Sequence, residues 1–205
     1  MALSLSVATS KVSAQIPYPN SGTVNPVTYS FTAAATGDIV AYFAGTGAAF
    51  DEQLGLLDNG VLTPAGFGLD NQTSAIGDSF DLGTVTAGDT LTFVVNVLTF
   101  GLGNVYSDPS LNGTYDAGVG VNHVYSTPYT AGSIPAFGAI PSGTYVGFED
   151  LPAWWPPDYN YFDETYVFSD NVSVTTHGVP DATSTLSLFG LGLSGLGLIR
   201  RRFRA

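Results

Sequence analysis

Apolar and polar residues alternate along much of this chain, and turns rich in Gly separate the alternating stretches. Several of these stretches are rich in β-branched and aromatic residues, which predicts strands. They are residues 27–32, 38–43, 80–86, 90–100, 119–125, 144–148 and 165–174. The body of the chain shows no sustained apolar period of 3.6 residues. The pattern therefore predicts an all-β fold, an antiparallel β-sandwich of jelly-roll-like type, with a barrel as the alternative.

Turn residues support this interpretation. Asn59-Gly60 stands between the apolar pairs Leu56-Leu57 and Val61-Leu62. Asn-Gly accepts the positive φ angles of a type I′ turn, so the segment predicts a hairpin. Residues 107–118 and 127–143 are predicted to be loops, and the second of these is rich in Pro and Gly.

The carboxyl end has a different pattern. Residues 182–199 form an apolar run without a charge, and Arg200, Arg201 and Arg202 begin a basic cluster at 200–204. As a helix the run spans roughly 27 Å, close to the hydrocarbon core of a bilayer. The basic cluster keeps the carboxyl end cytoplasmic. We expect a single transmembrane helix with an exported body before it; the alternative is a buried core helix with a basic cap.

The motif Val179-Pro180-Asp181 precedes this helix, after a linker at 175–178. Residues 179–205 thus combine a Pro-containing motif at 179–182, an apolar helix and an Arg cluster. This order resembles the PEP-CTERM sorting domain of Gram-negative bacteria, in its Val-Pro-Asp variant. The resemblance implies processing by an exosortase after transit through the inner membrane. It also implies delivery to the cell surface or to the exopolysaccharide matrix of a biofilm.

The amino end agrees with export. Val12-Ser13-Ala14 has the small-residue spacing of a signal-peptidase site, so we expect cleavage after Ala14. A basic start and a full apolar segment are missing from residues 1–14, which predicts a truncated signal peptide and a start site further upstream. The ectodomain is predicted to be one β domain over residues 15–174.

The body carries acidic charge only. All five Lys and Arg residues lie outside residues 15–180, whereas only Asp181 of the 17 Asp and Glu residues does. Such a surface repels phosphate groups, which excludes nucleic acid as a partner and limits membrane contact to the carboxyl-terminal helix. The absence of Cys excludes disulfides and thiol chemistry. Carboxylates that folding brings together must stay solvated, raise their pKa or bind cations.

Acidic residues concentrate between positions 149 and 164. Their oxygen atoms are suitable ligands for calcium, which takes six to eight of them. The candidate ligands are Glu149, Asp150, Asp158, Asn160, Asp163 and Glu164. The segment Phe148-Glu149-Asp150-Leu151-Pro152, followed by the residues from Asp158 to Phe168, resembles a domain of unknown function that is common in secreted and PEP-CTERM proteins. That family is suspected of binding calcium, and the resemblance implies that all these candidates except Glu164 are ligands. The alternative is a solvated acidic loop that closes a hairpin.

Aromatic residues lie inside the same segment. Trp154 and Trp155 are the only tryptophans, and Tyr159 follows them closely. Exposed aromatic faces can stack on sugar rings, and large aromatic residues dominate recognition energetics. The three residues are therefore a candidate site for exopolysaccharide, unless the tryptophans cap the core.

Evidence for an enzyme is weak. His123 and His177 are the only histidines, and His123 could pair with Asp116 or Asp108. No nucleophile motif accompanies them. Glu149 and Asp163 could act as a glycosidase pair, but carboxylates within one loop suit a cation better. We expect a non-catalytic surface or matrix protein; the alternatives are a calcium-dependent carbohydrate-binding module and, less favoured, a polysaccharide hydrolase.

Overall fold

A computed structural model describes residues 15–178 of the chain. The predicted signal-peptide remnant, the Val-Pro-Asp motif, the transmembrane helix and the Arg cluster lie outside these residues. Between residues 15 and 178, no helix has the length and apolar character needed to cross a membrane. The described part is built from β-strands and a few single turns of 3₁₀ helix.

The strands are short and follow one another closely. Their bounds are β1 (Thr28–Ala33), β2 (Gly37–Thr46), β3 (Glu52–Asp58), β4 (Val61–Gly68), β5 (Ser79–Val85), β6 (Thr90–Val97), β7 (Gly103–Tyr106), β8 (Val124–Tyr129), β9 (Gly143–Phe148), β10 (Glu164–Phe168) and β11 (Val172–His177). The 3₁₀ turns are Thr99–Gly101, Pro109–Leu111 and Pro135–Phe137.

The strands form two antiparallel sheets. The first has the order β11-β1-β6-β3-β4, with β7 also paired to β6, and the second has the order β5-β2-β10-β9-β8. β1 and β11 pair in the first sheet, while β2 and β10 pair in the second. The prediction of an all-β antiparallel sandwich is confirmed.

The main core lies between the two sheets. Phe31 and Phe93 of the first sheet and Phe43 and Phe168 of the second belong to one buried cluster. The rings of Phe93 and Phe168 stack across the interface with centroids 3.7 Å apart. Alternation along the strands directs these residues inward, and burial of each ring stabilises the fold by roughly 1.5–3 kcal/mol.

A second, smaller cluster covers the outer face of the second sheet. Phe137 and Ile140 come from the segment between β8 and β9 and pack on Tyr129, Tyr145 and Val167. The prediction of a loop over residues 127–143 is wrong at its start, because β8 continues to Tyr129. The remainder of that segment caps the sheet with apolar residues.

Most of the predicted strands are confirmed within a few residues, as is the hairpin. Asn59 and Gly60 have φ angles of 49° and 83°, as a type I′ turn requires. Two strand predictions are wrong. The strand predicted at 119–125 begins only at Val124, and the one at 165–174 is two strands that lie in different sheets. The strand predicted to end at residue 100 ends at Val97, where a 3₁₀ turn follows.

Candidate metal centre

The acidic segment joins two paired strands. β9 ends at Phe148 and β10 begins at Glu164, and these two residues face each other in the antiparallel register. The segment 149–163 therefore leaves the sheet and returns to it at the same point. The N–H of Asp163 donates to the carbonyl of Phe148 at 3.1 Å, which fixes the two ends of the loop together.

Three carboxylates meet at this closure. One oxygen from each of Glu149, Asp150 and Asp163 lies within 4.8 Å of the others. Calcium binds oxygen at about 2.3–2.6 Å, so ligand atoms on opposite sides of one ion are up to about 5 Å apart. The spacing of the three oxygens fits a single calcium ion.

Charge repulsion at this spacing is large. Two unit charges about 5 Å apart repel by about 3 kcal/mol at an effective dielectric constant of 20. Three such pairs approach the whole stability of an ordinary domain, about 5–15 kcal/mol. The three groups cannot all be ionised in the folded protein unless a cation offsets the charge, and without a cation some of them must bind protons.

Neighbouring groups offer little compensation. Glu149 has no exposed surface and Asp150 has 5%. Neither side-chain oxygen of Glu149 has a hydrogen-bond donor among the described residues. Asp163 Oδ2 accepts the N–H of Asp150 at 3.0 Å. Burial, and then the charge of Asp163, raises the pKa of Glu149 to about 9. Burial, and then Asp150, raises the pKa of Asp163 to about 8. The centre thus binds protons unless a cation replaces them.

The other predicted ligands lie around this group. Asp158 is exposed and accepts the side-chain amide of Asn160 at 2.7 Å. The side-chain oxygen of Asn160 accepts the N–H of Phe162 at 2.6 Å, so the Asn160 amide supports the loop. Glu164 is fully buried at the start of β10. The structure therefore places Asp158 at the solvent side of the centre and Glu164 at its inner side.

A buried ion pair positions the loop from behind. His123 Nε2 lies 3.0 Å from Asp116 Oδ1, and His123 Nδ1 lies 2.8 Å from the carbonyl oxygen of Glu149. Both ring nitrogens of His123 thus lie within hydrogen-bond distance of acceptor oxygens, one on the Asp116 carboxylate and one on the backbone of Glu149. Burial alone would raise the pKa of Asp116, but hydrogen bonds from His123 and from the N–H of Ala153 hold it below its usual value. Of the two partners considered for His123, the structure selects Asp116.

Two tyrosines hold the far side of the loop. Tyr159 and Tyr161 have φ angles of 48° and 56°, an uncommon conformation for bulky residues. The Tyr161 hydroxyl accepts the N–H of Asn25 at 2.7 Å and donates to the carbonyl of Asn122 at 3.2 Å. These bonds keep the backbone of Tyr161 against β9. Tyr159 lies beside Tyr161, with ring centroids 6.4 Å apart.

The two tryptophans belong to a separate surface. Trp155 lies 6.2 Å from Phe100 and 6.1 Å from Phe50, and 5.8 Å separates it from Trp154. We call Phe50, Phe100, Trp154 and Trp155 the aromatic patch. Phe100 is 76% exposed, Trp154 56% and Trp155 38%. The tryptophans therefore lie at the surface, and Tyr159 is not in stacking contact with them.

Sequence analysis missed Glu52. This residue begins β3 in the opposite sheet and has no exposed surface. Burial, and then Glu164, raises the pKa of Glu52 to about 12. A signal was present, because Glu52 is in phase with Leu54 and Leu56, which are both fully buried. A carboxylate at an inward position of an alternating strand indicates a buried polar site.

Comparison with known proteins identifies only the carboxyl end. The family described as VPDSG-CTERM motif matches residues 178–203. No curated protein and no solved structure matches the chain. The match supports the PEP-CTERM-like sorting signal, in the Val-Pro-Asp form expected from the sequence. Such a signal implies an exported protein that passes through the membrane, is processed by a sorting enzyme and reaches the cell surface.

Proposed function

We propose that this chain is a non-catalytic component of the surface or extracellular matrix of a Gram-negative bacterium, anchored in transit by its carboxyl-terminal helix and released by an exosortase. Its ectodomain is a calcium-stabilised β-sandwich of jelly-roll-like winding. The observation that carries the calcium proposal is the meeting of Glu149, Asp150 and Asp163 within 4.8 Å. No Lys or Arg between residues 15 and 180 can neutralise these carboxylates.

Burial supports a non-catalytic role. Glu149 has no exposed surface, so a polysaccharide cannot reach its carboxylate. His123 is also fully buried, and both of its ring nitrogens face oxygen atoms of the loop region. A general acid or base must come within hydrogen-bond reach of its substrate. The chemistry that remains for these groups is binding of a cation and support of the loop.

Calcium should raise the thermal stability of the protein. We expect the melting temperature of the EDTA-treated full chain, held in mild detergent, to rise by about 5–10 °C at a calcium concentration about 100 times the Kd. In the double variant Asp150→Asn/Asp163→Asn the rise should disappear. Asp170→Asn is the matched control, because Asp170 is an exposed carboxylate beyond β10. An unchanged wild-type melting temperature, or equal rises in wild type and double variant, would contradict the calcium centre.

The aromatic patch favours a second candidate function, calcium-dependent binding of exopolysaccharide. Phe100 and Trp155 expose large ring surfaces that are inclined by only 23° to each other, which suits stacking on successive sugar rings. Phe50 adjoins Asp51 and Glu52, and Trp154 donates from Nε1 to the carbonyl of Tyr115 at 3.1 Å. Trp154 and Trp155 are themselves part of the acidic loop at 149–163, so a cation that orders the loop would also hold their rings.

A glycan array with and without calcium tests this candidate. We expect binding in calcium that falls at least tenfold in Trp155→Ala and in Phe100→Ala. Tyr159→Phe should bind as the wild type does, since Tyr159 lies apart from the patch. Binding that is equal in EDTA and calcium would indicate a site independent of the cation, and an array without any bound glycan would leave only the structural role.

A further inference from the structure

Two buried carboxylates lie next to the three-carboxylate centre but outside it. Glu52 begins β3 of the first sheet, and Glu164 begins β10 of the second. Both residues have no exposed surface. Among the described residues, none of their four side-chain oxygens has a hydrogen-bond partner. An unpaired buried charge costs several kcal/mol, so a pair of them points to a missing counter-charge.

The side chain of Asn71 joins the backbone on the two sides of this position. Asn71 Oδ1 accepts the N–H of Glu52 at 3.0 Å, and the N–H of Asn71 donates to the carbonyl of Glu52 at 3.1 Å. Asn71 Nδ2 donates to Thr46 Oγ1 at 3.4 Å, and Thr46 is the register partner of Glu164. The two glutamates thus stand at adjoining ends of the two sheets, and their positions are fixed by hydrogen bonds of the backbone.

Further oxygen atoms are available there. The charge of Asp150, which belongs to the first centre, contributes to the raised pKa of both Glu52 and Glu164, so its carboxylate lies near the two glutamates. The hydroxyl of Tyr166, two residues along β10, is also buried without a hydrogen-bond partner in the described part of the chain. Carboxylate and hydroxyl oxygens are ligands of hard divalent cations.

Bound protons can offset these charges when no cation is present, as at the first centre. Oxygens that surround a divalent cation are each in contact with the ion, so a cation would replace the protons.

We propose that Glu52, Glu164 and Asp150 bind a second divalent cation inside the sandwich, with Asp150 shared between this ion and the first. The proposal rests on the proposed calcium-binding function of the neighbouring centre. Because Glu52 and Glu164 belong to different sheets, the second ion would cross-link the sheets, whereas the first ion orders only the loop between β9 and β10.

Stoichiometry of calcium binding tests the proposal. The EDTA-treated full chain in mild detergent is dialysed against calcium, and bound metal is measured by elemental analysis. We expect two ions per chain in the wild type and in the control Asp170→Asn, and one ion in Glu52→Gln and in Glu164→Gln. The variants Glu149→Gln and Asp163→Asn should lose the first ion. If the wild type binds one ion and Glu52→Gln binds the same number, the second site alone is overturned. A wild type that binds no ion overturns both sites.

Thermal unfolding of the same variants gives an independent readout. In EDTA, Glu52→Gln should melt at a higher temperature than the wild type, because the substitution removes a buried carboxylate. In calcium its melting temperature should be lower than that of the wild type. A variant that is less stable by the same amount in both conditions would show that Glu52 has only a packing role and would overturn the proposal. If either variant fails to fold, the wild-type stoichiometry still decides between one ion and two.

Discussion

Single residues decide how closely the acidic loop approaches the sheet. Gly147 of β9 lies under the loop, where an added Cβ would come 2.2 Å from the carbonyl oxygen of Tyr161. That oxygen belongs to the backbone of a residue whose hydroxyl is anchored at Asn25 and Asn122. The loop therefore cannot move away without breaking these bonds. Glycine at this position sets the distance between Tyr161 and the strand that carries Glu149.

We expect Gly147→Ala to weaken the calcium centre. The methyl group would displace the backbone at Tyr161 and with it Asp163, at a cost of about 2–4 kcal/mol in unfolding free energy. Calcium affinity, measured by titration calorimetry, should fall at least tenfold. Gly113→Ala is the matched control, since an added Cβ there meets no atom within 4 Å. An affinity within twofold of the wild type would show that the loop adapts to the methyl group.

At the scale of elements, the hairpin of β9 and β10 supplies the centre, and the segment before β8 supports it. Asp116 accepts the N–H groups of Ala153 and Val121 as well as the His123 ring. His123 in turn contacts the carbonyl of Glu149. A single buried ion pair thus links two loops that are distant in sequence. β8 begins directly after His123, at Val124, which pairs with Phe148, the last residue of β9.

Removal of this pair should destabilise the protein. We expect His123→Ala to lower the unfolding free energy by about 3–5 kcal/mol, because Asp116 would remain as a buried carboxylate without the imidazole ring that pairs with it. Chemical denaturation in saturating calcium measures the loss. Asp108→Asn serves as control, since Asn preserves the hydrogen bond that Asp108 accepts from Ser110. A loss below about 1 kcal/mol in His123→Ala would mean that the pair does not support the loop.

At the scale of the whole molecule, the acid-only body makes stability depend on pH and cations together. The folded protein raises the pKa of Glu149 to about 9 and that of Asp163 to about 8, from ordinary values of 4.5 and 3.8. At a pH between the ordinary pKa and the raised pKa of each group, the unfolded chain binds fewer protons than the folded protein. Stability is therefore greatest below pH 4 with respect to these groups, and it is lost as the pH rises through 8 and 9.

Without a cation, we expect the melting temperature to fall by at least about 5 °C between pH 5 and pH 8. The reason is that the unfolding free energy falls by up to about 1.4 kcal/mol per pH unit for each group. Scanning calorimetry in EDTA measures this slope. In saturating calcium the stabilisation over EDTA should grow with pH, because the ion replaces the protons. The double variant Glu149→Gln/Asp163→Asn should have a flatter profile in EDTA. A flat wild-type profile in EDTA would show that these carboxylates do not bind protons on folding.

Alternation along the chain and the residue types were sufficient to predict the class of fold, the hairpin at Asn59-Gly60 and the acidic segment. Each of these depends on neighbours in sequence. The carboxyl-terminal sorting signal also depends only on neighbours in sequence, since it consists of the motif, the apolar run and the Arg cluster in order. The sequence alone therefore determined where the protein is sent and where carboxylates are concentrated.

Tertiary structure decided which carboxylates meet. The stretch 165–174 was predicted as one strand, but it turns between Phe168 and Val172 and enters both sheets, which alternation cannot reveal. Glu52 lies almost a hundred residues before the acidic loop, and only the packing of β3 against the second sheet brings it to Glu164. Burial and the absence of nearby donors change these groups from solvated surface charges into candidate ligands. Burial and the absence of donors both depend on how the two sheets pack. A pattern along the chain does not contain the distances between side chains of different strands.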